Sequence, residues 1–186
     1  MWQPEEDIVP AALTDILRVH EYSYIAHLEA KVKQSVANNV SGPATMPNFY
    51  ASAGYLDIDT PLSSSSLEAA KRFCGGAMLA VDKVLRTASE TAEKDPISSA
   101  FVIGRPPGHH AGPNGCVPPP CYWQRPDMTS SGFCLLNTVA VAAAHARNRY
   151  SVDLSNGGRV LQGHPVNSRP LRVAIVDIDI HHGQIY

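Results

Sequence analysis

The sequence predicts an α/β domain in which a parallel sheet is flanked by helices. Short apolar runs at residues 100–104 and 171–180, the second rich in β-branched side chains, are typical of buried strands. Helical stretches alternate with these runs along the chain. Such alternation favours parallel strands covered by helices on both faces.

Two helices are predicted at the start of the domain. The first covers about residues 10–19 and the second covers 22–36, with its apolar residues on one face (Ile25, Leu28 and Val32). Residues 38–59 are polar and rich in glycine and proline, which indicates a loop.

A long helix is predicted from the segment Ser65-Ser-Leu-Glu68 to about Glu93. That segment has the spacing of a capping box, in which the serine and the glutamate each cap a backbone N–H. Gly75 and Gly76 inside the helix each cost about 1 kcal/mol relative to alanine. We therefore expect close packing against a neighbouring segment there. A further helix of small apolar residues is predicted over residues 133–149.

The composition is that of one soluble domain. The 186 residues are 44% hydrophobic and carry a formal net charge of −2, which is enough chain for a core and offers no basic face for direct nucleic-acid binding. No apolar run approaches the ~18 residues of a membrane span, and no signal peptide is recognisable. The four cysteines are expected to be reduced, although Cys116 and Cys121 are spaced for either a loop disulfide or a metal site.

The segment Asp177-Ile-Asp-Ile-His-His-Gly183 follows the second apolar run. Alternation along a strand would turn Asp177, Asp179 and His181 to one side. A carboxylate and an imidazole two residues apart can hold one divalent cation. A catalytic zinc normally takes three protein ligands and a water, so a further ligand must come from elsewhere in the chain or from a longer protein.

A second histidine pair follows the first apolar run, in Arg105-Pro-Pro-Gly-His-His-Ala111. Functional groups of open α/β sheets lie beyond the carboxyl ends of the strands, where both pairs fall. Together the two clusters predict a metal site rather than two unrelated surface loops.

These segments resemble a known family. With Gly132-Phe-Cys-Leu-Leu-Asn137 they are similar to three consecutive signatures of the zinc-dependent histone deacetylase family, which includes acetylpolyamine amidohydrolases. Earlier blocks also fit, and the resemblance runs from about Ala12 onward (Thr14–His20 followed by Tyr24-Ile25, and Asp59-Thr60-Pro61 before the long helix).

The resemblance implies an arginase-like α/β fold and a zinc cofactor. Residues 1–186 would be a partial catalytic domain, truncated before the second half, where the family has its third zinc ligand and a transition-state tyrosine. Alone, this portion is expected to be inactive. Residues 112–131, with three consecutive prolines (118–120), Tyr122 and Trp123, would be an insertion at the pocket rim, and 150–170 a second expanded loop.

The resemblance also implies roles for individual residues. Asp179 and His181 would be zinc ligands. His110 would be the general base, His109 its electrostatic partner, and Asp177 would hold the His109 ring by a hydrogen bond.

Other positions would contact substrate or a second ion. Gly132 and Phe133 would line a narrow tunnel that suits the apolar stem of an acyl-lysine. Asp59 would stand at the rim and bind the substrate backbone. Main-chain carbonyls around residues 177–181 would hold a structural potassium.

The predicted function is removal of acetyl groups from lysine side chains of histones or other proteins, in the nucleus, the cytoplasm or both, with a corepressor-type complex as a candidate partner. One alternative is hydrolysis of acetylpolyamines or other small amides. Another is a catalytically inactive truncated form or pseudo-deacetylase that serves as an interaction module. Gln184, where the family has Asp or Asn, and the early stop favour this alternative.

The remaining histidines have no partner motif and are interpreted as core or surface residues (His20, His27, His145 and His164). His182 has no assigned role. Cys134 is interpreted as a small buried apolar residue rather than a nucleophile.

Overall fold

The computed structural model describes residues 8–38, 55–57, 60–89, 97–115, 130 and 132–183. Within these stretches the helices are α1 (Leu13–Ile16), α2 (Tyr22–Asn38), α3 (Ser66–Ser89) and α4 (Thr138–Arg149). The strands are β1 (Tyr55–Asp57), β2 (Thr60–Pro61), β3 (Tyr150–Asp153), β4 (Val160–Gln162) and β5 (Ser168–Pro170). The predicted combination of helices and strands is therefore present.

The core lies where the helices meet the segment before α4. Apolar side chains from each of these elements lose nearly all contact with solvent there (Ile16, Tyr24, Ile25, Leu28, Leu67, Ala70, Cys74, Leu135, Leu136 and Val141). The predicted apolar face of α2 supplies the residues at positions 25 and 28, with Val32 packed at the edge. Burial of this set is the main force that holds α3 against α2 and α4.

Gly75 of α3 packs closely against a neighbouring segment, as predicted, whereas a Cβ on Gly76 would make only ordinary contacts, the nearest at 3.5 Å. A Cβ on Gly75 would overlap the Val9 carbonyl oxygen and lie 3.2 Å from the Ala11 nitrogen. The Ala11 amide donates to the Lys71 carbonyl at 2.9 Å, so the chain before α1 lies directly on α3. Only a residue without a side chain lets two backbones approach this closely.

The ends of three helices differ from the prediction. α4 begins at Thr138 rather than at 133, because Asn137 caps its first turn. α1 covers only Leu13–Ile16 and continues as turns to residue 19. At the start of α3 the Ser66 hydroxyl accepts from the Ser63 amide, and the Glu68 carboxylate pairs with Arg72 Nε at 3.1 Å. The prediction of a capping box is therefore wrong. The Ser65 hydroxyl contacts the Ser63 hydroxyl at 3.2 Å, and the Glu68 carboxylate forms an ion pair with Arg72 one turn further along the helix. α3 ends at Ser89, and the predicted end at Glu93 lies outside the described residues.

Residues 150–170 form a small antiparallel sheet in the order β4-β3-β5, which corrects the predicted loop. Ser151 pairs with Leu161 on one side and with Pro170 on the other. The glycine and asparagine residues that suggested a loop make the turns between strands, with positive φ at Gly157, Gly158 and Asn167. The strands are three or four residues long, too short for periodicity to reveal. Likewise, β1 lies inside the predicted loop 38–59.

The predicted parallel sheet is not formed by the described residues, whose strands pair antiparallel. Segments 100–104 and 171–180 have no strand ladder, and most of their apolar side chains face solvent, with Phe101 90% and Ile178 94% exposed. A strand needs a neighbour for its backbone groups. In the second segment, nearby carboxylates accept hydrogen bonds from the backbone in place of a neighbouring strand. The Asp179 amide donates to the Asp177 side chain, and the His181 amide donates to the Asp179 side chain.

A partly buried carboxylate joins α3 to α4 and β3. Asp82 Oδ1 accepts from His145 Nε2 and from the Tyr150 hydroxyl, each at 2.8 Å. Burial and the neighbouring Asp82 raise the pKa of Tyr150 to about 12, so the phenol stays a hydrogen-bond donor. His145 is therefore a partnered core residue, as interpreted from the sequence.

Each helix in the described stretches is too short or too polar to cross a membrane.

Candidate functional site

His109 and Asp177 form the first contact of the site. The His109 Nδ1–H donates to Asp177 Oδ2 at 2.8 Å, across 68 positions of sequence. The Asp179 amide donates to the other oxygen, Oδ1, at 3.0 Å. These two hydrogen bonds, the backbone one first, hold the pKa of Asp177 below its usual range. The hydrogen bond that the resemblance implies between these two residues is therefore present, and it fixes the tautomer of His109.

His109 is also the first in a row of three neighbouring imidazoles, followed by His110 and His181. The His109 and His110 ring centroids are 4.2 Å apart, and those of His110 and His181 are 6.0 Å apart. Burial lowers the pKa of His110, and the neighbouring rings of His109 and His181 lower it further. His110 is therefore neutral at pH 7 and able to accept a proton.

Asp179 and His181 lie at the open end of the row. The His181 Nδ1–H donates to Asp179 Oδ1 at 2.9 Å, and the His181 amide donates to the same oxygen at 2.8 Å. These bonds, the backbone one first, lower the pKa of Asp179, so its carboxylate is charged at neutral pH. The side chains of His181 and Asp179 are largely exposed, which leaves them accessible to a ligand.

The donor chemistry of this pair fits zinc, which takes carboxylate oxygen and imidazole nitrogen. In the described part of the chain, no group of three or more His, Cys, Asp or Glu side chains is gathered closely enough to hold an ion. Asp179 and His181 therefore supply two donors of the types that zinc takes, and no third such side chain is gathered beside them in the described part of the chain.

Two glycines allow the backbone to approach the imidazoles. A Cβ on Gly132 would overlap the His110 ring and lie 3.0 Å from Nε2. A Cβ on Gly183 would lie 2.7 Å from Asp177 Oδ2 and 3.2 Å from His109 Nδ1. Gly132 and Gly183 therefore form two sides of the space around His109 and His110, and neither position has room for a side chain.

Phe133 lies beside this space with about half of its side chain exposed. Its φ is 64°, a left-handed backbone conformation that is uncommon for an aromatic residue. The Phe133 amide donates to Thr60 Oγ1 at 3.0 Å. The sequence block at residues 59–61 and the Gly-Phe-Cys block are thus in direct contact.

The buried Cys134 side chain connects the loop that carries His110 to the turn at Gly132. Its thiol is buried, donates to the Gly132 carbonyl at 3.4 Å and accepts from the His110 amide at 3.5 Å. The Ser130 hydroxyl donates to the Cys134 carbonyl at 2.5 Å. Cys134 is therefore the buried small residue that the sequence indicated, and it also joins the His110 loop to the Gly132 turn.

His20 has a larger part in the site than the sequence indicated. It is 2% exposed, its Nδ1–H donates to the Gly112 carbonyl at 2.9 Å, and its Nε2 accepts from the Asn137 amide at 2.9 Å. Because Nε2 accepts from an N–H, the ring is the neutral Nδ1–H tautomer. Burial lowers the pKa of His20 accordingly. A lone histidine in a helical region carries no sequence signal for this contact.

Asn137 completes the link between the loops. Its side-chain oxygen accepts from the Ala140 amide at 3.1 Å, which caps α4, and its Nδ2 donates to the Ala111 carbonyl at 3.3 Å. The last residue of the Gly-Phe-Cys block therefore starts α4 and fixes the end of the His109–His110 loop in one place.

Several sequence predictions fall outside the described residues. Asp59, expected at the rim, is among them, as are Gln184, the aromatic pair of residues 122–123 and the cysteines at 116 and 121. Of the lone histidines, His164 is exposed and its Nε2–H donates to the Asn148 carbonyl, so it is a surface residue.

The chain is similar to known proteins over nearly its whole length. A model of the histone deacetylase domain matches residues 3–184. Type-2 histone deacetylase 1 of Dictyostelium discoideum is 37% identical over 127 residues, which cover 68% of this chain and 6% of that protein. A probable deacetylase of Methanothermobacter thermautotrophicus is 30% identical over 173 residues, which cover 93% of this chain and 34% of that protein.

Among solved structures, a crystal structure of the HDA15 HD domain is similar in fold, with a TM-score of 0.50 at 21% identity over 78% of this chain. The match covers 31% of that chain. The chain thus spans about a third or less of the length of these proteins.

Proposed function

The chain belongs to the histone deacetylase family, and from that membership we propose that it supplies the general-base side of a zinc-dependent active site. The reaction would be hydrolysis of the acetyl amide on lysine side chains of histones or other proteins. One observation carries the proposal: Asp177, His109 and His110 form a row that ends at the Asp179–His181 pair.

Asp179 and His181 would hold the zinc ion. When bound, zinc would polarise the amide carbonyl and make a bound water more acidic. His110 would accept the proton of that water at Nε2, the ring nitrogen nearest Gly132, and return it to the leaving amine. Its lowered pKa supports this role, because a protonated imidazole cannot act as a base.

His109 and Asp177 would orient and tune the base. The carboxylate holds His109 with Nδ1 protonated, which keeps the ring turned toward His110 at a centroid distance of 4.2 Å. Gly132 and Phe133 would form the wall of the channel for the acyl-lysine stem, with the half-exposed Phe133 ring supplying apolar surface.

The wider context belongs to the same proposal. Segments 100–104 and 171–180 would be parallel strands of a larger arginase-like sheet, which their exposed apolar side chains support. An acetylated protein would be the substrate, with a corepressor-type complex as partner and the nucleus or cytoplasm as location. Residues 1–186 alone, with two zinc ligands, would hydrolyse no acetyl-lysine.

The test is zinc content and deacetylation by the full-length protein and its Asp179→Ala variant. Zinc affinity should fall by orders of magnitude, and turnover of an acetyl-lysine peptide should fall with it. Asp153→Ala is the matched control, because Asp153 also accepts a hydrogen bond from an amide two residues on, Ser155, but lies in the β3–β4 hairpin. Unchanged stoichiometric zinc in Asp179→Ala would exclude this residue as a ligand.

A further inference from the structure

Phe133 holds an unusual backbone conformation at the site. Gly132 and Phe133 follow each other with φ values of 58° and 64°. Glycine adopts this region freely, whereas a phenylalanine there is strained and persists only when its surroundings hold it. Something outside the turn must therefore stabilise Phe133.

Thr60 is the residue in position to do so. Its side-chain oxygen accepts the Phe133 N–H at 3.0 Å, and Thr60 itself is 1% exposed. The acceptor is therefore held in place on the buried side of a partly buried hydrogen bond, and losing it would remove the protein partner of the Phe133 N–H. The contact therefore favours the left-handed conformation over the alternatives open to this residue.

Thr60 stands on a fixed support. It lies in β2, where it pairs with Asp57 of β1. Leu56 of β1 and Leu62, which directly follows β2, are both buried in the core. On the other flank of the turn, Cys134 donates to the Gly132 carbonyl. The turn that carries the Phe133 ring is thus held from both sides.

We propose that Thr60 is a positioning residue for the channel wall: its hydroxyl oxygen holds Phe133 in the left-handed conformation that presents the ring to the acyl-lysine stem. This rests on the proposed deacetylase function for the substrate, but the contact between Thr60 and Phe133 does not. Thr60 acts through Phe133 and touches neither the reacting amide nor the base.

The test uses Thr60→Val, which keeps the shape and removes the acceptor, and Thr60→Ser, which keeps the acceptor. The first readout is hydrogen exchange of the Phe133 amide by NMR, with the Leu28 amide of the core as a reference for folding. Thr60→Val should speed Phe133 exchange by about tenfold or more, the size of one lost hydrogen bond, and Thr60→Ser should not. Thr60→Ala carries the same comparison if valine prevents folding.

The second readout is steady-state deacetylation of an acetyl-lysine peptide by the full-length protein. Loss of the wall position weakens binding of the stem, so KM should rise by about tenfold in Thr60→Val while kcat stays within about threefold. Thr60→Ser should restore both values. A general structural defect would instead lower kcat and increase Leu28 exchange.

The outcomes separate the two levels of the proposal. Unchanged Phe133 exchange in Thr60→Val would overturn the contact itself, whatever the activity. Faster exchange with an unchanged KM would overturn the role in substrate binding. If the unsubstituted protein hydrolyses no acyl-lysine, the proposed function fails, and the exchange experiment still decides whether Thr60 holds Phe133.

Discussion

Gly132 lies directly against the imidazole of His110. A Cβ built on Gly132 would overlap the ring and stand 3.0 Å from Nε2. The two residues are 22 positions apart, yet the absence of a side chain at one sets where the other can stand. This contact places the Gly-Phe-Cys turn directly beside the ring of His110, the proposed general base.

Substitution Gly132→Ala should therefore displace His110. We expect deacetylation to fall by about 100-fold, since small misplacements of a catalytic group have effects of that order. Gly157→Ala is the matched control, because Gly157 has a similar φ of 63° and a Cβ added there would meet nothing within 4 Å. Equal loss of activity in both variants would assign the effect to backbone strain rather than to the contact with His110.

The two histidines of the row should respond differently to removal. His110→Ala should leave zinc bound and lower turnover by about 10²–10⁴-fold, the usual contribution of a general base. His109→Ala should have a milder effect, because His109 acts through orientation. Turnover of an acetyl-lysine peptide and zinc content are measured for both. A much larger loss in His109→Ala than in His110→Ala would show that the roles are exchanged.

His20 should make stability depend on pH. Burial holds the pKa of His20 below its ordinary value of 6.5. Below pH 6.5 the unfolded chain therefore binds more protons than the folded chain, so acid favours unfolding, and above pH 6.5 this contribution to stability is complete. Urea midpoints of the unsubstituted protein should fall as the pH is lowered from about 7.

The contribution of His20 is isolated by comparison with His20→Phe and with the exposed control His164→Phe. His20→Phe should be less stable at neutral pH, because two buried partners lose their hydrogen bonds at roughly 1–3 kcal/mol each. Its stability should also vary less with pH than that of the other two proteins. A parallel pH profile in all three would contradict the assigned tautomer.

The Cys74 thiol should be inert in the folded protein. It is fully buried, and burial raises its pKa to about 11. Since the thiolate is the reactive form, alkylation by iodoacetamide at about pH 8 should be slow until denaturant is added. Mass spectrometry of the peptide that contains Cys74 measures this directly. Rapid native modification would mean that α3 opens from the core.

The sequence allowed the chemistry of the site to be predicted better than the strands. The Asp177–Gly183 and Arg105–Ala111 motifs consist of chemically distinctive residues at short spacing, so they identified the imidazoles and carboxylates that the fold brings together. The hairpins of residues 150–170 were missed because their strands, of three or four residues, are too short for alternation of apolar and polar side chains to be recognised. The apolar segments 100–104 and 171–180 were predicted as strands from composition alone, and composition does not say which backbone groups will pair.

By itself, the sequence determined the helices α2 and α3, the close approach at Gly75 and the identity of the residues in the histidine row. These depend on local propensity and on residue type. Only the tertiary structure decided that His20 joins Gly112 to Asn137 and that Thr60 holds Phe133, contacts that span up to 117 positions of sequence. No local pattern encodes such pairs, because a single hydrogen bond between distant segments depends on how the whole core packs.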